Sequence, residues 1–193
     1  MISDDKIRLL GSFLVLILAS WLLYFRIQFQ SDILFLDDLA TDLFLYGGAW
    51  KDWKLSIAPA YIPDIILYFF GYMIFPSIPL RIFFVTACQA LILSILALWL
   101  ARKIRPQLSV NATALIILMV AFSSLVASRS GMWLFFNSTN NHISSLLLSF
   151  LSLGLILVFF KRPNLITAIL IVGVGSIAKS SSAIFLICFT LPA

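Results

Sequence analysis

The sequence predicts an all-α membrane protein: a polytopic transmembrane helix bundle with a long outward-facing first loop carrying short interfacial helices. Three observations predict it. Mean hydropathy is +1.10 and only 11% of residues are charged, far from the balance of soluble globular domains. Apolar runs recur along the chain, the longer ones able to cross a hydrocarbon core of about 30 Å. Lysine and arginine gather in alternate connections between those runs.

The first run, LLGSFLVLILASWLLYFRIQF at 9–29, follows Lys6 and Arg8. It is too long for the apolar core of a signal peptide and has no small-x-small cleavage site after it, so it reads as an uncleaved anchor. The second, 82–101, ends directly in RKIR. Further spans are expected at about 110–128, 143–160 and 165–178. A partial run covers 183–193, about half a span, and it suggests the N-terminal part of a longer protein. The eleven residues IILYFFGYMIF at 65–75, closed by PSIP, are too short to cross and predict a half-buried or interfacial helix. Residues 1–193 form one membrane domain, without a soluble-domain boundary, tandem repeat or low-complexity tract.

Orientation comes from the cations. Lys6, Arg8, Arg102, Lys103, Arg105, Lys161 and Arg162 fall on one side if the five spans alternate, and that side is cytoplasmic by the positive-inside rule. The N-terminus is then cytoplasmic in a multi-pass integral protein, with the bacterial inner membrane as the expected location. The outer connection 30–81, with its acidic segment 30–64, and the loop 129–142 face away from the cytoplasm. The same distribution explains the net charge of +5 without nucleic acid, which is not an expected partner. Cys88 and Cys188 sit within apolar runs and lack metal-ligand spacing, and His142 is the only histidine, so no metal ligands are assigned.

The acid is concentrated. The chain has eight aspartates and no glutamate, and Asp32, Asp37, Asp38, Asp42, Asp52 and Asp64 all lie between 31 and 64. Asp38 and Asp42 share a face if 38–46 is helical, and Gly47-Gly48 is a natural helix stop. Asp37 or Asp38 would serve equally as a helix N-cap, which requires no chemistry. Trp50, Trp53, Tyr61 and Tyr68 interleave with the acid, and Pro59 and Pro63 stiffen AWKDWKLSIAPAYIPD. This composition predicts an ordered platform at the outer interface. Carboxylates held there suit a general base toward a hydroxyl, or a divalent cation beside a phosphate.

With DD early in a long outer loop, a W…P-x-Y-x-P-D stretch and one span before them, the chain resembles the polytopic GT-C glycosyltransferases. That group includes protein O-mannosyltransferases and bacterial lipid-linked sugar transferases. The layout is shared over most of the chain, the motifs only over about 37–64. The resemblance implies sugar transfer from a polyprenyl-phosphate carrier, with Asp37 or Asp38 as the catalytic base and Asp38 slightly preferred. Membrane lipid and a lipid-linked sugar donor are the implied partners. No cofactor is required by the sequence, although a divalent cation at Asp37 and Asp38 fits. The group has many more spans and often a soluble C-terminal domain, neither of which falls within residues 1–193.

Candidate substrate contacts are Asp42, Trp50, Tyr61 and Asp64 on the platform, and Arg81, Arg129, His142 and Lys179 elsewhere on the outer side. Arg81, Arg129 and Lys179 occupy outward ends of spans, with Arg26 near another. Such cations suit a lipid phosphate. Snorkelling, in which the long stem lets the charge reach the headgroups, is the favoured reading of each. In FFNSTNNHISS, helix capping by Asn137, Asn140 and Asn141 is the favoured reading, and a sugar-binding or proton-transfer contribution from His142 is the alternative. Ser145, Ser149 and Ser152 make a small-residue packing stripe, and Gly173 and Gly175 are expected to pack likewise. Two other readings stand beside the enzyme: a non-catalytic multi-pass membrane subunit, and a transporter. The scarcity of ionisable groups within the spans disfavours the transporter.

Overall fold

The computed structural model describes residues 4–24, 31–53, 61–129 and 143–181. All regular structure there is helical, with no strand among the described residues. Seven α-helices follow in order: α1 Asp4–Tyr24, α2 Ser31–Thr41, α3 Ile66–Ile74, α4 Ile78–Ile104, α5 Val110–Arg129, α6 Ile143–Lys161 and α7 Leu165–Ser181. Wider π-type turns cover Asp42–Tyr46 and Tyr61–Ile65, and a single 3₁₀ turn covers Trp50–Asp52.

The local causes of these elements can be named. Asp4 and Asp5 in the first turn of α1 complement the helix dipole. Ser109 Oγ accepts from Ala112 N at the start of α5. Asn164 Oδ1 accepts from Thr167 N at the start of α7. Helix α4 begins earlier than the apolar run alone suggests, because Pro79 in its first turn is tolerated where no intrahelical N–H bond is needed. Arg81 therefore stands in the first turn of a helix rather than in a loop. At 27 residues, α4 is long and apolar enough to cross a membrane, and it is the one such helix among the described residues. The apolar stretches Val110–Phe122, Leu146–Lys161 and Leu165–Ala178 are shorter.

Packing is built around α4. Helix α1 lies against α4 and α5, burying Leu16, Ala19, Ala90, Ile117 and Ala121 together. Helix α6 joins α4 to α7, through Leu93 with Leu147 and Leu148 with Ala178. Two long-range contacts fix the direction of the helices. Arg8 Nη1 donates to Asn111 Oδ1 at 2.7 Å, so α1 and α5 start at the same end. Lys161 Nζ donates to the Lys103 carbonyl at 2.6 Å, so α4 and α6 finish there too. Arg8, Lys103 and Lys161 thus meet at one end of the bundle. The opposite end, near Ile82 and Val85 of α4, is capped by α2 and α3 through Leu36, Leu39, Ala40, Ile65 and Tyr68. From Arg81 to Lys103 the helix rises about 33 Å.

Gly154 of α6 faces the Trp99 ring of α4 so closely that a Cβ would overlap its carbons. Gly154→Ala should cost about 1–3 kcal/mol by overpacking. Gly173→Ala, with open space around the added carbon, should cost no more than the glycine's own helix penalty returns. Paired thermal melts of the detergent-purified variants check this. Among the described residues nothing approaches within 4 Å of the Cβ position of Gly173 or Gly175, so the close packing expected there has no partner among them.

Candidate functional site

Helix α2 turns Leu36, Leu39 and Ala40 inward. At 100° per residue this carries Asp37 to the flank of the buried face and Asp38 to the opposite side, where it is exposed. Both aspartates are interior to the helix, because α2 starts at Ser31, so the N-cap reading of either is corrected. The expected helix stop is present: Gly47 adopts φ 70°, and Gly48 N donates to the Asp42 carbonyl at 3.0 Å.

Asp37 is the centre of a polar cluster. Its Oδ1 accepts from Tyr68 Oη at 2.7 Å and from Arg81 Nη1 at 2.5 Å. Arg81 also donates through Nε to the Phe75 carbonyl at 2.9 Å and through Nη2 to the Pro76 carbonyl at 3.1 Å. Its guanidinium lies 4.0 Å from the centre of the Tyr72 ring. The two charged side chains are only 11% and 12% exposed, so Arg81 is folded inward onto the end of α3. Burial first, then the Asp37 carboxylate, raises the Tyr68 phenol above its ordinary range, which keeps it a donor.

Asp42 has a separate partner. Trp53 Nε1 donates to its Oδ2 at 2.6 Å, and the Trp53 ring meets Phe35 edge-on. A Cβ at Gly48 would overlap the Asp42 carboxylate, so the second glycine gives that side chain its room. Phe44 stacks with Tyr72 and meets Phe69 edge-on, and Trp50 also meets Phe69 edge-on. Phe44, Leu45, Tyr46 and Trp50 stay substantially exposed, giving this end an aromatic rim.

Asp64, on the second π-type turn, is fully buried. Gln89 Nε2, from the middle of α4, donates to its Oδ1 at 2.6 Å. Burial raises this carboxyl from 3.8 to about 7, while Ser144 of α6 and Gln89 act in the other direction.

The fold therefore gathers Asp37, Asp42, Asp64, Arg81 and Trp50 at one end of the bundle, with Asp38 on its outer surface. Arg26 and His142 lie outside the described residues, together with Asn137, Asn140 and Asn141. So do the side chains of Tyr61, Arg129, Ser145 and Lys179. Among the described residues, no three His, Cys, Asp or Glu side chains group as a metal site would require. Tyr68, Gln89 and Ser144 escaped the sequence reading as site residues. Gln89 carried a usable signal, a lone amide inside an apolar run. Comparison with protein-family models, with curated proteins and with solved structures finds no match for this chain.

Proposed function

We propose that the chain is a polytopic integral-membrane glycosyltransferase, whole or in its N-terminal part, that takes a sugar from a lipid-phosphate carrier. The observation that carries this reading is the gathering of aspartates and aromatic rings at the end of the bundle opposite the one where Arg8, Lys103 and Lys161 lie. Large apolar side chains exposed along the helices support the lipid setting, among them Leu10, Leu14 and Leu18 on α1 and Leu165, Ile169 and Val172 on α7.

In this reading the acidic end lies at the outer face. The acceptor hydroxyl attacks the anomeric carbon, the bond from that carbon to the phosphate oxygen breaks, and the lipid phosphate departs with the electron pair. Asp38, the exposed carboxylate, takes the hydroxyl proton. Asp37 holds the segment in place through Arg81 and Tyr68. Asp42 belongs to the wall of the site and Trp50 offers a ring to the sugar, whereas Asp64, fully buried, is out of reach of a substrate and its expected contact is withdrawn. Arg129 and Lys179 keep their suggested role at the lipid phosphate, and His142 keeps its role in sugar binding or proton transfer. Helix α2 sends Asp37 and Asp38 to different sides and Arg81 occupies Asp37, so the divalent cation expected beside the pair has no part in this proposal.

The test is transfer from a polyprenyl-phosphate hexose by the full-length protein in proteoliposomes. Asp38→Asn should lower the rate by about 10²–10⁴ with the melting temperature unchanged. Wild-type transfer by Asp38→Asn would refute its assignment as base. One observation favours the non-catalytic subunit instead: Asp37 and Asp42 are both engaged by partners within the fold. No transfer by the full-length protein, with Asp38→Asn and wild type alike, would select that reading.

A further inference from the structure

Asp64 differs from its acidic neighbours in what surrounds it. Gln89 occupies one carboxylate oxygen. The other, Oδ2, is buried without a hydrogen-bond partner, and so is Ser144 Oγ. The turn bearing Asp64 touches α6 and α7 as well as α3. No cation neutralises the carboxylate among the described residues. On the elements packed against this turn, the titratable groups with described side chains are Tyr68 and Tyr72 on α3, Arg81, Cys88, Arg102 and Lys103 on α4, and Lys161 on α6. Tyr68 and Arg81 are bonded to Asp37, and Lys103 and Lys161 meet at the far end, with Arg102 beside them in sequence. The Lys179 side chain on α7 lies outside the described residues.

A bare, half-satisfied carboxylate in such a place is costly, and buried polar atoms rarely stay unpaired. The Ser144 hydroxyl beside Oδ2 can rotate to donate to the ionised carboxylate or to accept from the protonated one, so it serves either state. It carries no charge, however, and only a proton on Oδ2 removes the cost of holding an anion at a site this buried. Gln89 continues to donate to Oδ1. We propose that Asp64, Gln89 and Ser144 form a proton-binding site, whose occupation locks the 61–65 turn to α4 and α6. The proton comes from solvent and returns to it, so no co-reactant is involved. The carboxyl's value of about 7 leaves both states populated near neutrality. This site is independent of glycosyl transfer and would exist equally in a non-catalytic protein.

The locked turn joins α3, which carries Tyr68 and Tyr72, to the end of α4. Losing the proton therefore loosens the element that Asp37 and Arg81 are built on. An open turn returns Asp64 to its ordinary value of 3.8. Opening of the turn then grows about tenfold per pH unit up to about 7 and levels off above it.

Infrared difference spectra of the full chain in lipid nanodiscs, recorded across neutral pH, test the site. The expected result is a protonated-carboxyl band that titrates near 7, disappears in Asp64→Asn and persists in Asp52→Asn. Should Asp64→Asn fail to fold, Ser144→Ala gives the second reading, because loss of the partner must move the midpoint. Hydrogen exchange over 61–74, corrected for intrinsic rates, should quicken up to about pH 7 and then hold steady. The proposal is overturned if no carboxyl titrates above the ordinary aspartate range, or if the band survives Asp64→Asn. It is equally overturned if the midpoint moves with sodium concentration, which would make the occupant a sodium ion.

Discussion

Arg81→Met should cost about 3–5 kcal/mol of stability, the largest loss expected from a single substitution in this chain. The size follows from what is left behind. Asp37 keeps its burial but loses its counter-charge, and the Phe75 and Pro76 carbonyls at the end of α3 lose the donors that close that helix. A buried charge without a partner costs far more than a well-made pair contributes. Arg81→Lys should recover only part of the loss, because a single ammonium cannot reach the carboxylate and both carbonyls in the planar pattern of a guanidinium. Removing both charges should be milder than removing one: Arg81→Met combined with Asp37→Leu should lie well above the sum of the single variants. A double-mutant cycle by chemical denaturation in detergent measures the coupling. Strict additivity would show that the contact contributes nothing to folding.

Much of this end of the molecule was legible one element at a time. The apolar runs marked α1 and α4 to α7, the Gly47-Gly48 stop marked the end of the helical segment, and eleven apolar residues before PSIP marked α3. The distinction between Asp37 and Asp38 was also available. Leu36, Leu39, Ala40 and Leu43 recur at helical spacing and define the buried face, which puts Asp38 directly opposite. Reading the aspartates as possible N-caps hid that pattern, because it started the helix at least seven residues too late. What the sequence could not supply was pairing over distance. Asp37 and Arg81 are 44 residues apart, and Asp64 and Gln89 are 25 apart. Neither partner carries a local sign of the other. Arg81 looked like a free cation at a helix end because a span boundary is where snorkelling cations occur. Only the packing of α2 and α3 over α4 shows that its charge is already matched. Gly154 is a similar case: its need for a small side chain lies in Trp99, on another helix.

The second large effect is the pH dependence of folding. The Asp64 carboxyl is raised from 3.8 to about 7 in the folded protein. Between those values the folded state holds a proton that the unfolded chain has released. Stability therefore falls as pH rises through this window, by about 1.4 kcal/mol per unit at most, and levels off above about 7. The full difference is of the order of 4 kcal/mol. A paired aspartate usually behaves in the opposite way, gaining stability as it ionises next to a cation. Asp64 has only an amide and a hydroxyl beside it, neither of which offsets the desolvation of a charge. Asp64→Asn keeps the shape and cannot ionise, so its stability should run flat across the same window, with wild type falling below it on the alkaline side. Urea denaturation of both proteins at matched ionic strength, from acid to mildly alkaline pH, gives the comparison. Parallel curves would mean that Asp64 ionises as easily in the fold as in the open chain, and that its burial is relieved by water or by a cation.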